Sequence, residues 1–209
     1  MWTQRAKYQI IGIDEAGRGA LAGPVVSAGC LFLEQESRSD SIWRNFLRQI
    51  DDSKKLTAFR REQLFSEILT LKERGYLDFF VSSSSSSVID RFGIREATRL
   101  SMGRCIRKLM RPHCLVQIDG RDNFSFWGIS HPIEYIIKWD TLVSQIMVAS
   151  IIAKVTRDQM MRRYGKQFPT YSFWQHKGYW TAQHQRALEQ HGPCREHRMT
   201  YAPVRDRSK

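Results

Sequence analysis

QIIGIDEAGRG, residues 9–19, places an apolar run directly before two adjacent carboxylates and an arginine that lies between two glycines. The three isoleucines favour a buried β-strand, because β-branched side chains suit a pleated interior. Neighbouring residues of a regular strand point to opposite faces. Asp14 and Glu15 would therefore serve one site only if the chain turns or bulges around Glu15, which Gly17 and Gly19 permit. The alternative is an ordinary strand end with solvated acids.

The composition indicates a globular protein with a polyanionic partner. The 209 residues can hold one domain with a sizeable core. The hydrophobic fraction of 42% and the six Trp and eleven Phe argue against disorder. The net charge of +12 predicts that the partner is nucleic acid or an anionic membrane surface. No apolar run approaches the roughly 20 residues of a membrane span, which favours nucleic acid.

The cysteines and the N-terminus bear on the compartment. The four cysteines lie far apart without a CxxC pair, which indicates neither a zinc knuckle nor a disulfide framework. The first nine residues carry no apolar segment of the signal-peptide type. We therefore expect a cytoplasmic protein that does not associate with membranes, and we expect it to be a monomer.

The positive charge is concentrated toward the C-terminus. Residues 154–209 contain 12 Lys and Arg against 4 Asp and Glu, a net of +8 out of the total of +12. Aromatic residues are interleaved with these charges, namely Tyr171, Phe173, Trp174, Tyr179 and Trp180. This pattern predicts a surface that contacts phosphates and stacks on bases. A merely solubilising surface is the alternative.

Apolar runs and helical periodicities alternate along the chain. They predict strands at 25–33, 77–81, 115–119 and 133–139, and helices after Thr57, at 94–109 and at 143–163. The run of six serines at 82–87 has the composition of a linker, but an apolar strand leads into it, so we interpret it as a strand end or loop. The alternation of strands and helices predicts an α/β sandwich.

Four acids fall at or beside the ends of predicted apolar strands: Asp14, Glu15, Asp119 and Asp140. If they converge, a pair of divalent ions is an economical counter-charge, and carboxylate oxygens suit Mg²⁺ or Mn²⁺. Two such ions can activate a water and stabilise the leaving oxygen of a phosphodiester. The alternative is that each acid caps a loop or pairs with an arginine.

Motifs over nearly the whole chain resemble those of ribonuclease HII, the type 2 ribonuclease H, and occur in family order. The matching segments are 13–19, 21–26, 52–56, 89–98, 118–120, 149–158, 176–184 and 197–204. The resemblance implies the ribonuclease H-like α/β fold, a mixed central β-sheet flanked by helices with a small helical C-terminal segment. Residues 1–165 would form the catalytic domain, and the basic segment 166–209 would pack on it, completing the substrate site within one structural unit.

The resemblance also implies the reaction. Asp14, Glu15, Asp119 and Asp140 would bind two Mg²⁺ or Mn²⁺ ions and act as the catalytic residues. The substrates would be RNA–DNA hybrids and duplex DNA containing ribonucleotides, and the products would carry 3′-hydroxyl and 5′-phosphate ends.

Substrate contacts follow from the same resemblance. Gly17, Arg18 and Gly19 would contact the ribonucleotide and its 2′-hydroxyl, the group that distinguishes RNA from DNA. Tyr179 would pack on the sugar next to the junction. Phosphate binding or site support would fall to Lys54, Lys55, Lys154, Arg157 and Lys177.

Asp140 departs most from the family pattern, because Trp139 precedes it where a glycine is usual. Its assignment rests on its position ten residues before Ser150, and Asp122 and Asp158 are competing candidates. Two other functions remain open. A ribonuclease HIII would normally carry Gly-Lys-Gly at 17–19 and an additional N-terminal domain, for which the residues before Ile10 leave no room. The second is a non-catalytic, basic nucleic-acid-binding module.

Overall fold

A computed structural model describes residues 8–33, 41–50, 56–137 and 143–207. In chain order its elements are β1 Gln9–Ala16, β2 Val25–Phe32, α1 Ser41–Gln49, α2 Ala58–Glu73, β3 Leu77–Ser84, α3 Ser86–Leu109, β4 Cys114–Asp119, β5 Ile133–Ile136, α4 Ser144–Gln167, a 3₁₀ turn Pro169–Tyr171, α5 Phe173–His176, α6 Ala182–His191 and α7 Ala202–Arg205. Within these ranges five strands form a sheet in the order β3-β2-β1-β4-β5. The predicted mixed sheet with flanking helices is confirmed.

Strand β1 lies at the centre of the sheet, antiparallel to β2 and parallel to β4. Ile13 lies opposite Ile118 in the parallel pair, so the next residue of each strand, Asp14 and Asp119, falls at the same height. Parallel strands end at the same edge of a sheet, and the two acids therefore lie side by side at the carboxyl ends of β1 and β4.

The sheet is covered on both faces by separate clusters of buried side chains. One cluster joins Ala28 of β2 to Val148 and Ile152 of α4 and also contains apolar residues of α1 and α2. The other joins Ile13 of β1 and Ile118 of β4 to side chains of α3. We call these the α4 face and the α3 face.

Helix α4 packs unusually close to β1, because Gly12 has no side chain. A Cβ added to Gly12 would lie 2.4 Å from the backbone carbonyl carbon of Gln145 and 2.4 Å from the amide nitrogen of Ile146. The small residues Ala149 and Ala153 of α4 are fully buried there. Small side chains on the helix and a glycine on the strand together allow this close packing.

The serine run is part of two regular elements. Ser82–Ser84 complete β3, and Ser85 caps α3 by accepting a hydrogen bond from the amide of Val88. Helix α3 begins at Ser86, eight residues before the predicted start at residue 94. Gly93, with φ 81° and ψ 157°, kinks it. Residues 86–92 therefore form a first helical segment that the sequence pattern did not indicate.

Two other helices differ in detail from expectation. The N-cap at Thr57 is confirmed, since its side chain accepts from the amide of Arg60. Phe59 has the helical spacing of the apolar face of α2 but is 71% exposed, and the buried residues of the helix are Leu64, Ile68 and Leu71. Helix α1 was not predicted, although Trp43 and Phe46 are buried at helical spacing.

The C-terminal segment packs against the loop that follows β1. Leu21 and Met161 share a buried cluster with Tyr171, Phe173 and other C-terminal side chains. The predicted boundary at residue 165 falls inside α4, and the division into 1–165 and 166–209 stays a prediction. None of the helices in the described ranges combines the length and apolarity needed to cross a bilayer.

Candidate active site

A cleft of about 240 Å³ opens at the carboxyl end of β1. Its walls come from three parts of the chain: the end of β1 and the following turn, one side of α4, and the segment after α5. The lining residues are Asp14, Glu15, Ala16, Gly17, Arg18, Ser150, Lys154 and Tyr179. Six of the residues that the sequence assigns to a site meet here, namely Asp14, Glu15, Gly17, Arg18, Lys154 and Tyr179.

Asp14 and Glu15 approach the cleft from opposite faces of the sheet. Asp14 pairs with Ala28, which belongs to the α4 face. Glu15 pairs with Ser27, whose hydroxyl contacts the hydroxyl of Ser101 on α3 at 2.6 Å. The register between β1 and β2 is unbroken from residue 11 to residue 16, so the expected turn or bulge at Glu15 is wrong.

The chain turns at Gly17 instead, where φ is 96°. Both acids reach one cleft because the cleft lies at the end of the strand, where the two faces of the sheet meet the same solvent-filled space.

Asp14 is only 9% exposed, and burial raises its pKa well above the usual value. The charges of Glu15 and Asp119 raise the pKa further, while hydrogen bonds from the Ser150 hydroxyl and from the Glu15 amide, 2.7 Å from Oδ1, lower it. Three carboxylates thus stand close enough to repel one another. When all are ionised they need a cation, and their hard oxygen atoms suit Mg²⁺ or Mn²⁺.

The donor set is not a preformed metal site. Among the described residues, no group of three or more His, Cys, Asp and Glu side chains is arranged to hold a metal ion as it stands. Asp140, the fourth ligand that the resemblance implies, lies outside the described residues, as do Lys54 and Lys55.

Arg18 lies across the mouth of the cleft and connects its acids to the α3 face. Its guanidinium is 3.5 Å from Glu15 and 2.5 Å from Asp122, which in turn is 3.7 Å from Arg95 of α3. Asp122 is therefore bound between two arginines. The other competing acid, Asp158, accepts from Lys154 Nζ at 2.8 Å. Neither of them lines the cleft.

Two fully buried arginines hold the turn that carries Arg18. Arg198 donates to the carbonyls of Gly17 and Arg18, both at 2.7 Å, and to that of Gly23 at 3.0 and 3.1 Å. Arg157 donates to the carbonyls of Ala22 and Pro24, at 3.1 and 3.0 Å. The sequence places Arg157 among residues for phosphate binding or site support, and its burial selects site support.

The same guanidinium groups explain why glycine occupies position 17. A Cβ on Gly17 would lie 1.9 Å from Nε of Arg157, and the positive φ is itself unfavourable for other residues. Gly19 differs, because nothing lies within 4 Å of the position of its Cβ. Packing therefore requires the first glycine but not the second, and the predicted contact of Gly19 with substrate stays a prediction.

Tyr179 packs against one cation that lines the cleft, Lys154, and one that is buried, Arg157. Its ring centroid is 5.6 Å from Lys154 Nζ and 5.1 Å from Arg157 Cζ. Lys177, two residues earlier, turns away: its ammonium group donates to the carbonyls of Trp174 and Gln175, and it does not line the cleft.

A chain of hydrogen bonds between buried histidines fixes the backbone at Tyr179. The carbonyl of Tyr179 only accepts, so His184 Nδ1 carries the proton in the 3.0 Å contact between them. Nε2 of neutral His184 is then an acceptor, and Nε2 of His197 donates to it at 3.0 Å. Nδ1 of His197 in turn accepts from the amide of Cys194 at 2.9 Å. His176 stacks on His184 and accepts from the amide of Gly178.

Sequence reasoning assigned no role to several residues that build the site. Ser150 enters the sequence analysis only as the reference position for Asp140 and within a matching motif, and Arg198, His184 and His197 enter it only as parts of matching motifs. Their roles depend on contacts between segments far apart in sequence, which no local pattern reveals. The motif segment 197–204 was the available signal, because it joins a buried histidine to a buried arginine in a region that otherwise looks like basic surface.

The histidine chain predicts a specific loss of stability in acid. Burial, together with the smaller effect of neighbouring histidines, lowers the pKa of His184 to about 4 and that of His197 to about 3. Unfolded histidines bind protons below about pH 6.5. The stabilisation is therefore present above that pH and is lost as pH falls toward 4, with a slope of at most about 1.4 kcal/mol per pH unit for each histidine.

Urea unfolding between pH 7 and pH 4.5 measures this slope. His184→Asn should show a shallower dependence than the parent, and His191→Asn, which changes an exposed histidine of the same helix, should keep the parental slope. Identical slopes for the parent and His184→Asn would contradict the assignment.

Comparisons with known proteins agree with the geometry. A ribonuclease HII of Xanthomonas oryzae pv. oryzae is 44% identical over 200 residues, which cover 96% of this chain and 74% of that protein. The ribonuclease H2 structure from Pyrococcus horikoshii OT3 matches with a TM-score of 0.75 at 23% identity, covering 96% of this chain and 97% of that one. Bst-RNase HIII in complex with Mn²⁺ matches with a TM-score of 0.71 at 16% identity, covering 96% and 69%.

The two structural matches establish the ribonuclease H-like fold, and the sequence matches establish the family. The family model for ribonuclease HII matches residues 11–204. The sequence left two other functions open, a ribonuclease HIII and a non-catalytic basic module. The family model and the sequence relative support neither of them. The chain belongs to the ribonuclease HII family, whose members are hydrolytic endoribonucleases that cleave RNA strands.

Proposed function

We propose that this protein hydrolyses the RNA strand of RNA–DNA hybrids and incises duplex DNA at embedded ribonucleotides, leaving 3′-hydroxyl and 5′-phosphate ends. One observation carries the proposal: Asp14, Glu15 and Asp119 lie close together beside the turn that presents Arg18. Carboxylates that could support phosphodiester hydrolysis therefore lie next to a backbone turn that could contact a ribose.

Asp14, Glu15, Asp119 and Asp140 would hold two divalent ions, Mg²⁺ or Mn²⁺. Bound there, the ions would supply an activated water and charge stabilisation for the phosphodiester. Burial and the charges of Glu15 and Asp119 raise the pKa of Asp14, and this supports the assignment because a bound cation would offset both effects. The Mn²⁺ complex of Bst-RNase HIII, a protein of the same fold, also supports the use of a divalent ion.

The protein's own groups would orient these acids and the substrate. The hydroxyl of Ser150 and the amide of Glu15 stabilise the ionised form of Asp14. Lys154, which lines the cleft and is held there by Asp158, would contact a substrate phosphate. Lys54, Lys55 and Lys177 stay predictions as phosphate contacts, and the monomeric state and the cytoplasmic location stay predictions from the sequence.

Recognition of the ribonucleotide would come from Gly17, Arg18, Gly19 and Tyr179. The carbonyls of Gly17 and Arg18 accept hydrogen bonds from Arg198, which fixes the turn before the substrate arrives. Tyr179 is fixed through its carbonyl by His184. A rigid turn and a rigid ring can test for a 2′-hydroxyl with little entropic cost on binding.

The direct test is nicking of a duplex that carries a single ribonucleotide. The parent should nick it in Mg²⁺ or Mn²⁺ and leave an all-DNA duplex intact, and chelation of the metal should stop the reaction. Asp119→Asn should lower the rate by more than about 100-fold, because it removes a ligand charge. Glu73→Gln, an exposed acid at the end of α2, is the matched control and should keep the parental rate. Full activity of Asp119→Asn would contradict the role of that carboxylate.

A second prediction concerns Arg18. Removing its side chain in Arg18→Ala breaks the connection between Glu15 and Asp122 and should lower kcat/KM on a single-ribonucleotide duplex by about 10-fold or more, roughly the value of a charge-assisted contact. Arg48→Ala, which removes an exposed arginine from α1, gives the same change in net charge. Equal kcat/KM values for Arg18→Ala and for this control would count against a recognition role.

A further inference from the structure

A second groove lies beside the cleft on the α3 face. It encloses about 540 Å³ between α3 and the loop that follows β4. The residues that matter to its chemistry are Phe92, Arg95, Glu96 and Arg99 of α3 and Phe124 and Trp127 of the loop. None of these residues is among those that the sequence assigns to the active site. We call this feature the α3 groove.

Two aromatic side chains of the α3 groove are exposed to solvent. Trp127 is 91% exposed and Phe92 is 51% exposed. Trp127 belongs to a packed loop, because Phe124 and Phe126, which precede it in the chain, are buried in the α3-face core and contact each other edge to face. A packed loop thus presents a large aromatic ring to solvent, an arrangement typical of a binding surface.

The cations of the α3 groove are held in place by the same loop. Arg95 and Arg99 lie one turn apart on α3, so their side chains emerge from the same side of the helix. Arg95 donates to the carbonyl of Asn123 at 3.3 Å, and Arg99 donates to that of Ser125 at 3.1 Å. Two guanidinium groups are therefore fixed beside the exposed rings.

The α3 groove is linked to the active-site cleft through Asp122. Asp122 binds Arg18 of the cleft and lies 3.7 Å from Arg95 of the groove. A strand that occupies the cleft and continues toward the α3 face would pass Arg18, then Arg95, then the aromatic residues.

We propose that the α3 groove binds the sugar-phosphate backbone of a nucleic-acid strand that extends beyond the active-site cleft, with Trp127 and Phe92 packing on its sugars or bases. The partner follows from chemistry: fixed arginines pair with phosphates, exposed aromatic rings stack on bases, and the chain carries a net charge of +12. The proposal rests on the proposed function for the identity of the duplex and adds a binding surface to it.

Glu96 gives the proposal a directional test. Its carboxylate binds Arg99 through two hydrogen bonds, one of them 2.7 Å long, and so neutralises part of the positive charge of the groove. If phosphates bind there, Glu96→Gln should tighten binding, because it leaves Arg99 available to the strand.

The experiment measures binding of an RNA–DNA hybrid without divalent ions, so that it does not depend on catalysis. Fluorescence anisotropy should show that Trp127→Ala raises Kd at least about fivefold, the low end for loss of one stacked base. Arg95→Ala should raise Kd and reduce the slope of log Kd against log salt by about one, as expected for one lost phosphate contact. Glu96→Gln should lower Kd about two- to threefold.

Matched control variants come from the opposite face of the sheet. Ile42→Ala, Arg48→Ala and Glu73→Gln remove an exposed apolar side chain, an exposed arginine and an exposed acid from α1 and α2. Values of Kd for Trp127→Ala and Arg95→Ala that equal those of these controls would overturn the proposal. A Glu96→Gln variant that binds no more tightly than Glu73→Gln would contradict its phosphate-binding part.

Failure of this proposal is distinguishable from failure of the proposed function. A parent that cleaves in Mg²⁺, with groove variants that bind like the parent, would overturn the α3 groove alone. A parent that does not cleave, with groove variants that bind weakly, would overturn the proposed reaction and support the groove.

Discussion

The site depends on the burial of two arginines beneath the turn after β1. A guanidinium removed from water is costly unless its donors find acceptors, and Arg157 and Arg198 donate mainly to backbone carbonyls between Gly17 and Pro24. Nη1 of Arg157 alone among their donors is buried without a partner in the part of the chain that the structure describes. The dependence is mutual, because the turn needs the arginines to satisfy its carbonyls. Since Arg198 belongs to the C-terminal segment, that segment must pack before the turn can take its final shape.

This constraint joins the groups proposed for recognition and those proposed for hydrolysis in one rigid unit. Asp14 faces α4 and is oriented by Ser150, whereas Glu15 faces α3 and contacts Arg18. The turn held by Arg198 thus joins the two faces of the sheet at the point where the acids meet. The same segment holds Tyr179 through His184 and His197, so the groups proposed to contact the ribose share one support.

The sequence was most informative where a local pattern determines the structure. An apolar strand that ends in a carboxylate is visible in residues 10–15 and again in 115–119, and parallel pairing then brings Asp14 and Asp119 together. The expected bulge at Glu15 was wrong. Neighbouring side chains of a strand are kept apart by the sheet only within the sheet, and at the end of the strand side chains from both faces reach the same space. The burial of Arg198 could not be recognised from the sequence, because the chain is rich in arginine and the carbonyls that Arg198 binds lie more than 170 residues away.

The buried guanidinium of Arg198 shapes the turn on which the proposed cleavage depends, and the variant Arg198→Lys removes that guanidinium. Lysine keeps the charge but cannot bind the three carbonyls of Gly17, Arg18 and Gly23 in the same geometry. The measurement is kcat on a single-ribonucleotide duplex, together with amide hydrogen exchange of residues 17–24. We expect the variant to fold and to show faster amide hydrogen exchange in this turn. Its kcat should fall about 10-fold or more, the value of roughly one charge-assisted hydrogen bond. Parental kcat with unchanged exchange would contradict this role of Arg198.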